Sequence, residues 1–460
     1  MTVKFQEGRR RHLLRATTAL SGLLAAAVVA GSLGVSAVSA QESFEAITDE
    51  NVYFRGWQFR TDVVQGNVDT YNETMGGNVD YATVTGDYPA IMEQNLIAGG
   101  ELDVLYANPS SAVRYFEGGW ITPATALPNS DEIMEDMYPN IREAWTHNGE
   151  LLGLSYFVSV RGTLLANLEL IEEAGFTEED LPATWPELYD MVYALNEAGV
   201  DTPFLPHWFA EYFGISWGFV FEVMNRGGVV ADAETNEPML SVDGPAGETL
   251  ADWKELWNSG LVPEEVLSYN EAAFIDAYRS GRYVFSPQQL YDIKTFNDES
   301  QSADVAGHIT LLSSEEQSWG LIDSAMYMMT SRDRAEDHTQ DVMNFTSWYG
   351  YKNEEGEYAV ANRWLEENML FSAYRSVMES DMAREAIESA VARPEDYQTL
   401  LDVYATTDYP AGIWNVVWAE EFNSWLRDKL FAFLQNDLPV EEVINEANAE
   451  IERLNDRYGL

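Results

Sequence analysis

The alternation of strand-like and helix-like segments near the start of the chain constrains its fold more than any other feature. The predicted order is strand 52–57, helix 63–75, strand 79–84, helix 86–99 and strand 102–106. Glycines end both helices, and Asn108-Pro109-Ser110 turns the chain into a third helix. Strands joined by helices pair mainly in parallel, so the sequence predicts an α/β fold with a mainly parallel sheet covered by helices.

Later segments fit the same fold class. Residues 151–165 are strand-rich, and Thr184-Trp185-Pro186-Glu187 has the spacing of a capping box before a helix that reaches Ala198. Apolar residues between 440 and 454 share one face of a last helix. The 460 residues suffice for two or three domain-sized units. Because no low-complexity linker separates such units, we expect lobes that are connected by several chain crossings.

The first 40 residues have the pattern of an export signal. Arg9-Arg10-Arg11 precedes an apolar stretch of small residues at 19–38, and Val38-Ser39-Ala40 places small residues before a cleavage point. The paired arginines resemble a twin-arginine signal, and a general secretory signal is the alternative. A membrane anchor is disfavoured by the Gly and Ser residues of the stretch and by the cleavage-like site that ends it. We therefore predict a signal peptide at residues 1–40 and a periplasmic mature protein.

The chain is strongly acidic. It has 77 acidic and 26 basic residues, a formal charge of −51, and residues 41–460 retain 76 acidic and 21 basic residues, or −55. Such a charge disfavours binding to nucleic acid and to anionic lipid. Since the acidic residues are scattered, we interpret them as an adaptation to high salt, where the Debye length falls to ~3 Å at 1 M. The alternative is an ordinary acidic extracytoplasmic protein.

Cysteine and catalytic motifs are missing from the sequence. Without cysteine there is no disulfide, no thiolate metal site and no lipid-modified cysteine, so we expect a soluble monomer that is not embedded in a membrane. The sequence has no nucleophile elbow, zinc-protease motif or phosphate-binding loop. We expect no catalytic residue, no metal and no cofactor. The oxygen-rich turn at 232–236 lacks the glycine and distal glutamate of a calcium loop. A glycosidase, which needs only two carboxylates in a cleft, is kept as an alternative.

A series of short motifs resembles a known family. The motifs are Gly56-Trp57 at the end of the first strand, Val79-Asp80-Tyr81 followed by Gly86-Asp87-Tyr88, Gly99-Gly100-Glu101-Leu102-Asp103-Val104-Leu105, Phe116-Glu117-Gly118-Gly119-Trp120-Ile121-Thr122-Pro123, Asn148-Gly149-Glu150-Leu151-Leu152-Gly153-Leu154, Ala166-Asn167-Leu168-Glu169-Leu170-Ile171-Glu172-Glu173-Ala174-Gly175, Thr184-Trp185-Pro186-Glu187-Leu188 and the segment 274–283. In their order and spacing they resemble the family 1 extracellular solute-binding proteins, the group that includes maltose-binding protein. Leu102 replaces the family's usual proline, and Leu165-Ala166 replaces its usual tyrosine.

The resemblance implies a hinged, two-lobed binding protein of an ABC importer, with the type II fold and a cleft between its lobes. One lobe would comprise residues 41–157 and about 320–368. The other would comprise about 158–319 and 369–460. The implied function is the capture of a small solute and its delivery to the permease subunits. A binding protein that serves a chemoreceptor would have the same fold and ligand, so it is an open alternative.

Candidate ligand-binding residues follow from two requirements of a sugar, aromatic rings for its C–H faces and polar groups for its hydroxyls. Loops at the carboxyl ends of strands supply Trp57, Arg60, Asn108 and Ser110. The aromatic-dense segments 206–209 and 215–217 supply Trp208 and Trp217, of which we expect one in the cleft and one in the core. The resemblance adds residues near the implied crossings or at positions of family contacts, namely Tyr156, Ser159, Gln289, Trp319, Asp323, Tyr409 and Trp414. The predicted ligand is a mono- or oligosaccharide, with a polyol, a phosphorylated polyol or a peptide as alternatives.

Overall fold

The computed structural model describes residues 44–460, and the predicted signal peptide at residues 1–40 lies outside this range. Within the described part, the strands are β1 Val52–Gly56, β2 Val79–Thr83, β3 Val104–Ala107, β4 Ile121–Thr122, β5 Thr146–His147, β6 Glu150–Leu151, β7 Leu154–Asn167, β8 Phe285–Gln289, β9 Ile309–Leu311 and β10 Leu321–Thr330. The helices of the first half are α1 Thr61–Met75, α2 Tyr88–Ala98, α3 Pro109–Glu117, α4 Ser130–Asp136, α5 Pro139–Trp145, α6 Leu168–Glu173, α7 Trp185–Glu197, α8 Ile215–Asn225 and α9 Pro245–Ser259. Those of the second half are α10 Glu271–Arg279, α11 Ile293–Asn297, α12 Glu336–Gly350, α13 Ala359–Asn368, α14 Arg375–Met378, α15 Asp381–Glu388, α16 Asp396–Thr406, α17 Ala411–Trp414, α18 Ala419–Asn436 and α19 Val440–Tyr458. Short 3-10 helices lie at Ala124–Ala126, Glu178–Asp180, Glu264–Ser268 and Leu290–Asp292.

Local sequence signals account for the ends of the first helices. The Asp87 side chain accepts a hydrogen bond from the Ala90 N–H at the start of α2, as expected of an N-cap. Gly76 and Gly99 end α1 and α2 in the left-handed region, at φ 68° and φ 64°, where glycine avoids the Cβ penalty. The predicted alternation of strands and helices is therefore confirmed from β1 to α3.

The start of α7 differs in detail from the predicted capping box. Thr184 does cap the helix, because its hydroxyl accepts from the Glu187 N–H at 3.4 Å. The Glu187 carboxylate, however, accepts from the Ala183 N–H at 2.8 Å and not from that of Thr184. The return hydrogen bond thus reaches one residue further back than in the standard box.

Strands β7 and β10 join the two sides of the main sheet. On the β1 side, β1 pairs in parallel with β2 and β3, and β10 runs antiparallel to β3 and β4. On the β8 side, β7 runs antiparallel to β8 and β9. Strands β7 and β10 also pair with each other in antiparallel fashion. On the β1 side, β10 is therefore the one described strand that runs against the others, and on the β8 side it is β7. The predicted α/β class is confirmed, but the sheet is mixed and not mainly parallel. Among the described strands β1 pairs in parallel with β2 and β3, whereas every pairing of β7 and β10 is antiparallel, because these two strands run against their neighbours on both sides.

A close backbone approach marks the point where these two strands meet. Gly320, just before β10, has φ +91°, and a Cβ atom there would lie 2.3 Å from the Arg161 carbonyl oxygen of β7. Gly162 has φ +87° and stands at a register shift of β7. Only glycine fits both the conformation and the space.

No helix in the described part of the chain is long and apolar enough to cross a bilayer.

Candidate functional site

A cavity of about 330 Å³ lies between β7, β10, the loops that follow β1 and β3, and residues near α8, α10 and α17. Its aromatic lining residues are Trp57, Phe59, Tyr156, Phe157, Tyr212, Phe213, Trp217, Tyr291, Tyr409 and Trp414. Its charged and polar lining residues are Asn108, Ser110, Arg161, Glu271, Asp323 and Ser324. The cavity therefore combines ring faces with a small set of hydrogen-bonding groups, as small-molecule sites do.

Two tryptophans form one aromatic wall. Trp217 lies in the first turn of α8 and Trp414 ends α17, and their ring centroids are 4.0 Å apart at an interplanar angle of 35°. Tyr409 meets Trp414 edge to face at 5.4 Å, and its hydroxyl donates to Asn415 Oδ1 at 2.9 Å. The buried Trp217 Nε1 has no hydrogen-bond partner among the described residues. This wall offers stacking surface together with an unused donor.

A second aromatic group follows β1. Trp57 comes directly after the strand, and its ring lies 5.6 Å from that of Tyr156 on β7. Tyr156 in turn stacks on Tyr106 of β3 at 4.6 Å and 6°. Burial raises the pKa of the Tyr156 hydroxyl above its usual value. Strand ends thus position rings from both β1 and β7 at the cavity.

Asn108 serves first as a helix cap. Its Oδ1 accepts from the Ser111 N–H and from the Ser110 hydroxyl, each at 2.9 Å. The capping oxygen is therefore occupied, while Asn108 Nδ2 donates to no described residue. The side chain can offer a ligand this amide donor, which differs from the free backbone N–H groups predicted from the helix start.

A buried arginine organises the polar side of the cavity. Arg161 Nε donates to Asp323 Oδ2 at 3.1 Å and Nη1 donates to Glu271 Oε1 at 2.6 Å, with only 4% of its side chain exposed. Its guanidinium also lies over the Phe213 ring at 4.4 Å. Burial alone would lower the pKa of Arg161, but the Glu271 and Asp323 carboxylates raise it above its usual value. The guanidinium is therefore a permanent charge that is held by two carboxylates.

Strand register explains why Arg161 and Asp323 meet. Asp323 of β10 stands opposite Ser159 of β7, and residues two apart on a strand point to the same face. Arg161 is therefore the diagonal neighbour of Asp323. On the other edge of β7, Gln289 stands opposite Arg161, and its Nε2 donates to Asp323 Oδ2 at 2.5 Å. Side chains from β7 and β8 thus donate to one carboxylate oxygen on β10, Asp323 Oδ2.

Asp292 is a second buried carboxyl group close to this cluster. It lies next to Tyr291, and its Oδ2 has no hydrogen-bond partner among the described residues. Burial and the nearby Glu271 raise its pKa to about 8, against the opposing effect of Arg161. The group therefore prefers to be protonated at neutral pH.

The structure brings eight of the thirteen predicted residues together at the cavity. They are Trp57, Asn108, Ser110, Tyr156, Trp217, Asp323, Tyr409 and Trp414.

Two of the predicted tryptophans lie in the core and not at the cavity. Trp208 is 1% exposed and packs against Trp253 at 5.0 Å. Trp319 is fully buried and meets Trp185 edge to face at 5.1 Å. Both rings therefore pack against helices, since Trp253 lies in α9 and Trp185 begins α7.

The other three predicted residues also lack a cavity surface. The Arg60 guanidinium is turned toward Asp62 at 3.1 Å and Glu367 at 3.2 Å, outside the cavity. Gln289 is 2% exposed and lies within β8, where it contacts Asp323. Ser159 is fully buried, and its hydroxyl has no partner among the described residues.

Sequence reasoning missed several residues that line the cavity. Arg161 is the one charged residue of β7, and a charge inside an otherwise uncharged strand signals a buried pair. Tyr212 and Phe213 fall between the two aromatic segments that were singled out. Glu271 begins α10 after the capping Asn270, and no local pattern distinguishes it from other acidic first-turn residues.

The turn at 232–236 satisfies its own oxygen atoms. Asp232 Oδ1 accepts from the N–H groups of Glu234 and Thr235 at 2.9 Å and 2.8 Å. This is an Asx turn. In the described part of the chain, no group of three or more His, Asp or Glu side chains is arranged to hold a metal ion.

The comparison with protein families decides the assignment. A sequence model described as bacterial extracellular solute-binding protein matches residues 68–354, more than half of the chain. The chain belongs to this family. The resemblance seen in the motifs is thereby confirmed, and the chain is assigned to a family of solute-binding proteins and not to a family of enzymes. No curated protein matches the sequence.

Solved structures share the fold of this solute-binding protein at low sequence identity. The maltose-bound MalE3 of T. maritima is 16% identical with a TM-score of 0.69, covering 88% of this chain and 99% of its own. The cyclic α-maltosyl-1,6-maltose binding protein from Arthrobacter globiformis is 16% identical with a TM-score of 0.69, covering 87% and 98%. An ABC transporter solute-binding protein from Agrobacterium vitis S4 with bound D-mannitol is 14% identical with a TM-score of 0.66, covering 89% and 99%. These likenesses establish the two-lobed periplasmic-binding-protein fold.

Proposed function

We propose that this protein captures a carbohydrate, or a polyol of similar size, and delivers it to the permease subunits of an ABC importer. The observation that supports this most is the cavity, in which the Trp217–Trp414 wall faces the same space as Arg161 and Asp323. Sugars stack their C–H faces on rings and pair their hydroxyls with such groups. About 330 Å³ lies near the lower end of the ~300–1000 Å³ typical of ligand sites. That volume favours a small saccharide.

The proposed mechanism is closure of two lobes around the solute. Residues 41–157 with about 320–368 would form one lobe, and about 158–319 with 369–460 the other. In support, Trp57 and Asn108 come from the first set of residues, while Trp217 and Trp414 come from the second. A ligand that contacts both sets favours the closed state by its differential affinity. Small-angle scattering should show a smaller radius of gyration when the solute is bound.

The proposed location is the periplasm, as a free monomer. The basic and apolar pattern of residues 1–40 and the absence of cysteine support an exported protein without a lipid anchor. Mass spectrometry of the secreted protein should find an N-terminus near Gln41 in the soluble fraction. An uncleaved N-terminus in the membrane pellet would contradict this proposal.

A thermal-shift screen tests the proposed ligand class. The purified protein would be heated with a panel of mono- and oligosaccharides, polyols and short peptides at a fixed high salt concentration. A ligand at 100 times its Kd adds about 2.7 kcal/mol of stability, so a saccharide or polyol of the right shape should raise the midpoint by several degrees. A midpoint that rises only with peptides would contradict the carbohydrate assignment.

A further inference from the structure

The charged residues that line the cavity include more carboxylates than basic groups. Three charged residues line it, namely Arg161, Glu271 and Asp323. One guanidinium stands between two carboxylates, so this trio has a formal charge of −1. No further basic residue of the described chain lines the cavity.

The unused atoms of the trio are also mainly acceptors. Asp323 Oδ2 already receives Arg161 and Gln289, while Asp323 Oδ1 accepts from no described residue. Glu271 Oε1 receives Arg161, and Glu271 Oε2 has no donor within the described residues. Of the Arg161 guanidinium, Nη2 alone is left without a described acceptor. A solute therefore meets two free carboxylate oxygens for each free guanidinium nitrogen.

This pattern suits a hydroxyl group and opposes an anion. A hydroxyl donates one hydrogen bond and accepts others, whereas an ionised carboxylate or phosphate can only accept. An anion placed against Asp323 Oδ1 and Glu271 Oε2 would bring like charges together in a cavity that is lined mainly by aromatic side chains. At roughly 6 Å and an effective dielectric constant near 20, one such pair costs about a hundredfold in affinity. The single guanidinium cannot offset this, because both carboxylates already pair with it.

We infer that the cavity selects hydroxyl-bearing solutes without an anionic group, and that Asp323 and Glu271 reject phosphorylated and carboxylated sugars. This inference rests on the proposed function, since it names the class of carbohydrate that the same site takes. It removes the phosphorylated polyol from the ligands that the sequence left open. Gln289 is a positioning residue in this account, because it holds Asp323 Oδ2 so that Oδ1 faces the solute.

A competition experiment tests the selection. The wild-type protein would be mixed at constant ionic strength with equimolar glucose, maltose, D-mannitol and D-tagatose and with glucose 6-phosphate, maltose 1-phosphate, mannitol 1-phosphate and glucuronate. After ultrafiltration, the retained solutes would be identified by mass spectrometry. We expect a neutral solute to be retained and its anionic counterpart to be depleted at least tenfold. Retention of an anionic sugar overturns this inference alone, whereas retention of none of the eight solutes contradicts the proposed function as well.

Charge-neutral variants assign the selection to named residues. Asp323→Asn keeps Arg161 paired with Glu271 but removes one negative charge and one acceptor. The variant should bind the retained neutral solute about ten- to hundredfold more weakly, and its preference over the phosphorylated counterpart should shrink at least tenfold. Glu271→Gln should shift the preference in the same direction. Because the Glu271 side chain is 27% exposed, this variant replaces Asp323→Asn in the test if Asp323→Asn folds poorly.

The matched control removes a carboxylate that pairs with arginine away from the cavity. Asp80→Asn breaks the exposed ion pair with Arg55 at 3.4 Å and should leave both affinity and preference as in the wild type. An unchanged preference in both cavity variants, or an equal change in Asp80→Asn, would overturn the inference.

Discussion

At the scale of single residues, Asp292 shows how burial beside the site raises the pKa of a carboxyl group. The residue is 8% exposed, its Oδ2 is buried without a partner among the described residues, and burial and Glu271 raise the pKa of its carboxyl group to about 8. The unfolded chain would titrate this group near 3.8. The folded state therefore holds one more proton than the unfolded chain between about pH 4 and pH 8.

The pH dependence of stability should reveal this proton. The contribution of Asp292 to the free energy of unfolding is complete below about pH 4 and is lost as the pH rises through 8. In Asp292→Asn, which mimics the protonated form, the free energy of unfolding should fall less steeply across this range, by up to about 1.4 kcal/mol per pH unit. Urea unfolding at several pH values measures this slope, and a variant of the exposed Asp304, Asp304→Asn, serves as control. Parallel curves for Asp292→Asn and the wild type would contradict the assignment.

The comparison with a variant is needed because His207 acts in the opposite direction. Burial and the Arg161 charge lower the pKa of His207 to about 3. Its contribution to stability is therefore lost as the pH falls from about 6.5 toward 3. The two effects overlap in the wild type, and only the difference between wild type and Asp292→Asn isolates the carboxyl group.

At the scale of elements, the junction of β7 and β10 depends on glycine. Gly320 is held on both sides by Asn225, whose Oδ1 accepts from the Gly320 N–H at 3.0 Å and whose Nδ2 donates to its carbonyl at 3.1 Å. A Cβ atom at this position would collide with the Arg161 carbonyl. The residues that place Arg161 and Asp323 at the cavity thus rely on a close backbone contact.

Two glycine substitutions separate the cost of the collision at Gly320 from the cost of an alanine at positive φ. Gly356 has φ +80° with nothing within 4 Å of a built Cβ, whereas Gly320 has φ +91° and the contact at 2.3 Å. We expect Gly356→Ala to cost about 1–2 kcal/mol, from the positive φ alone. Gly320→Ala should cost roughly 3 kcal/mol or more, since backbone must also move. Denaturant unfolding of both variants measures this, and equal losses would contradict the role of the close approach.

The sequence predicted the elements whose signals are local. Periodicity located β1 to β3, and Asn108 and Gly99 marked helix ends where the structure has them. It could not predict that Asp323 meets Arg161, because 162 residues separate them and antiparallel register is set by tertiary packing. For the same reason Trp208 and Trp217 could not be told apart. Both stand in aromatic-dense segments, and only the packing of α8 directs one to the cavity.

At the scale of the whole molecule, charge should govern stability. Residues 41–460, the predicted mature protein, carry a formal charge of −55, and these like charges repel each other in a compact chain. Molar salt screens that repulsion to within ~3 Å. We propose that the protein is adapted to high salt, and we expect its unfolding midpoint to rise steeply between low salt and 1 M sodium chloride. Sodium sulfate serves as a comparison, because salting-out stabilises proteins by a different route. A midpoint that is flat or falls with sodium chloride would reject the adaptation.

The central claim is that a saccharide binds in the cavity against the Trp217–Trp414 wall, and calorimetric titration of one tryptophan variant tests it most directly. The solute with the largest thermal shift would be titrated into the wild type, Trp414→Ala and Trp425→Ala. Trp414 is 6% exposed and faces Trp217 at 4.0 Å, whereas Trp425 stacks on Phe422 of α18, away from the cavity. We expect Trp414→Ala to lose ~1–3 kcal/mol of binding free energy and Trp425→Ala to bind as the wild type does. Unchanged affinity in Trp414→Ala, or an equal loss in both variants, would contradict the account.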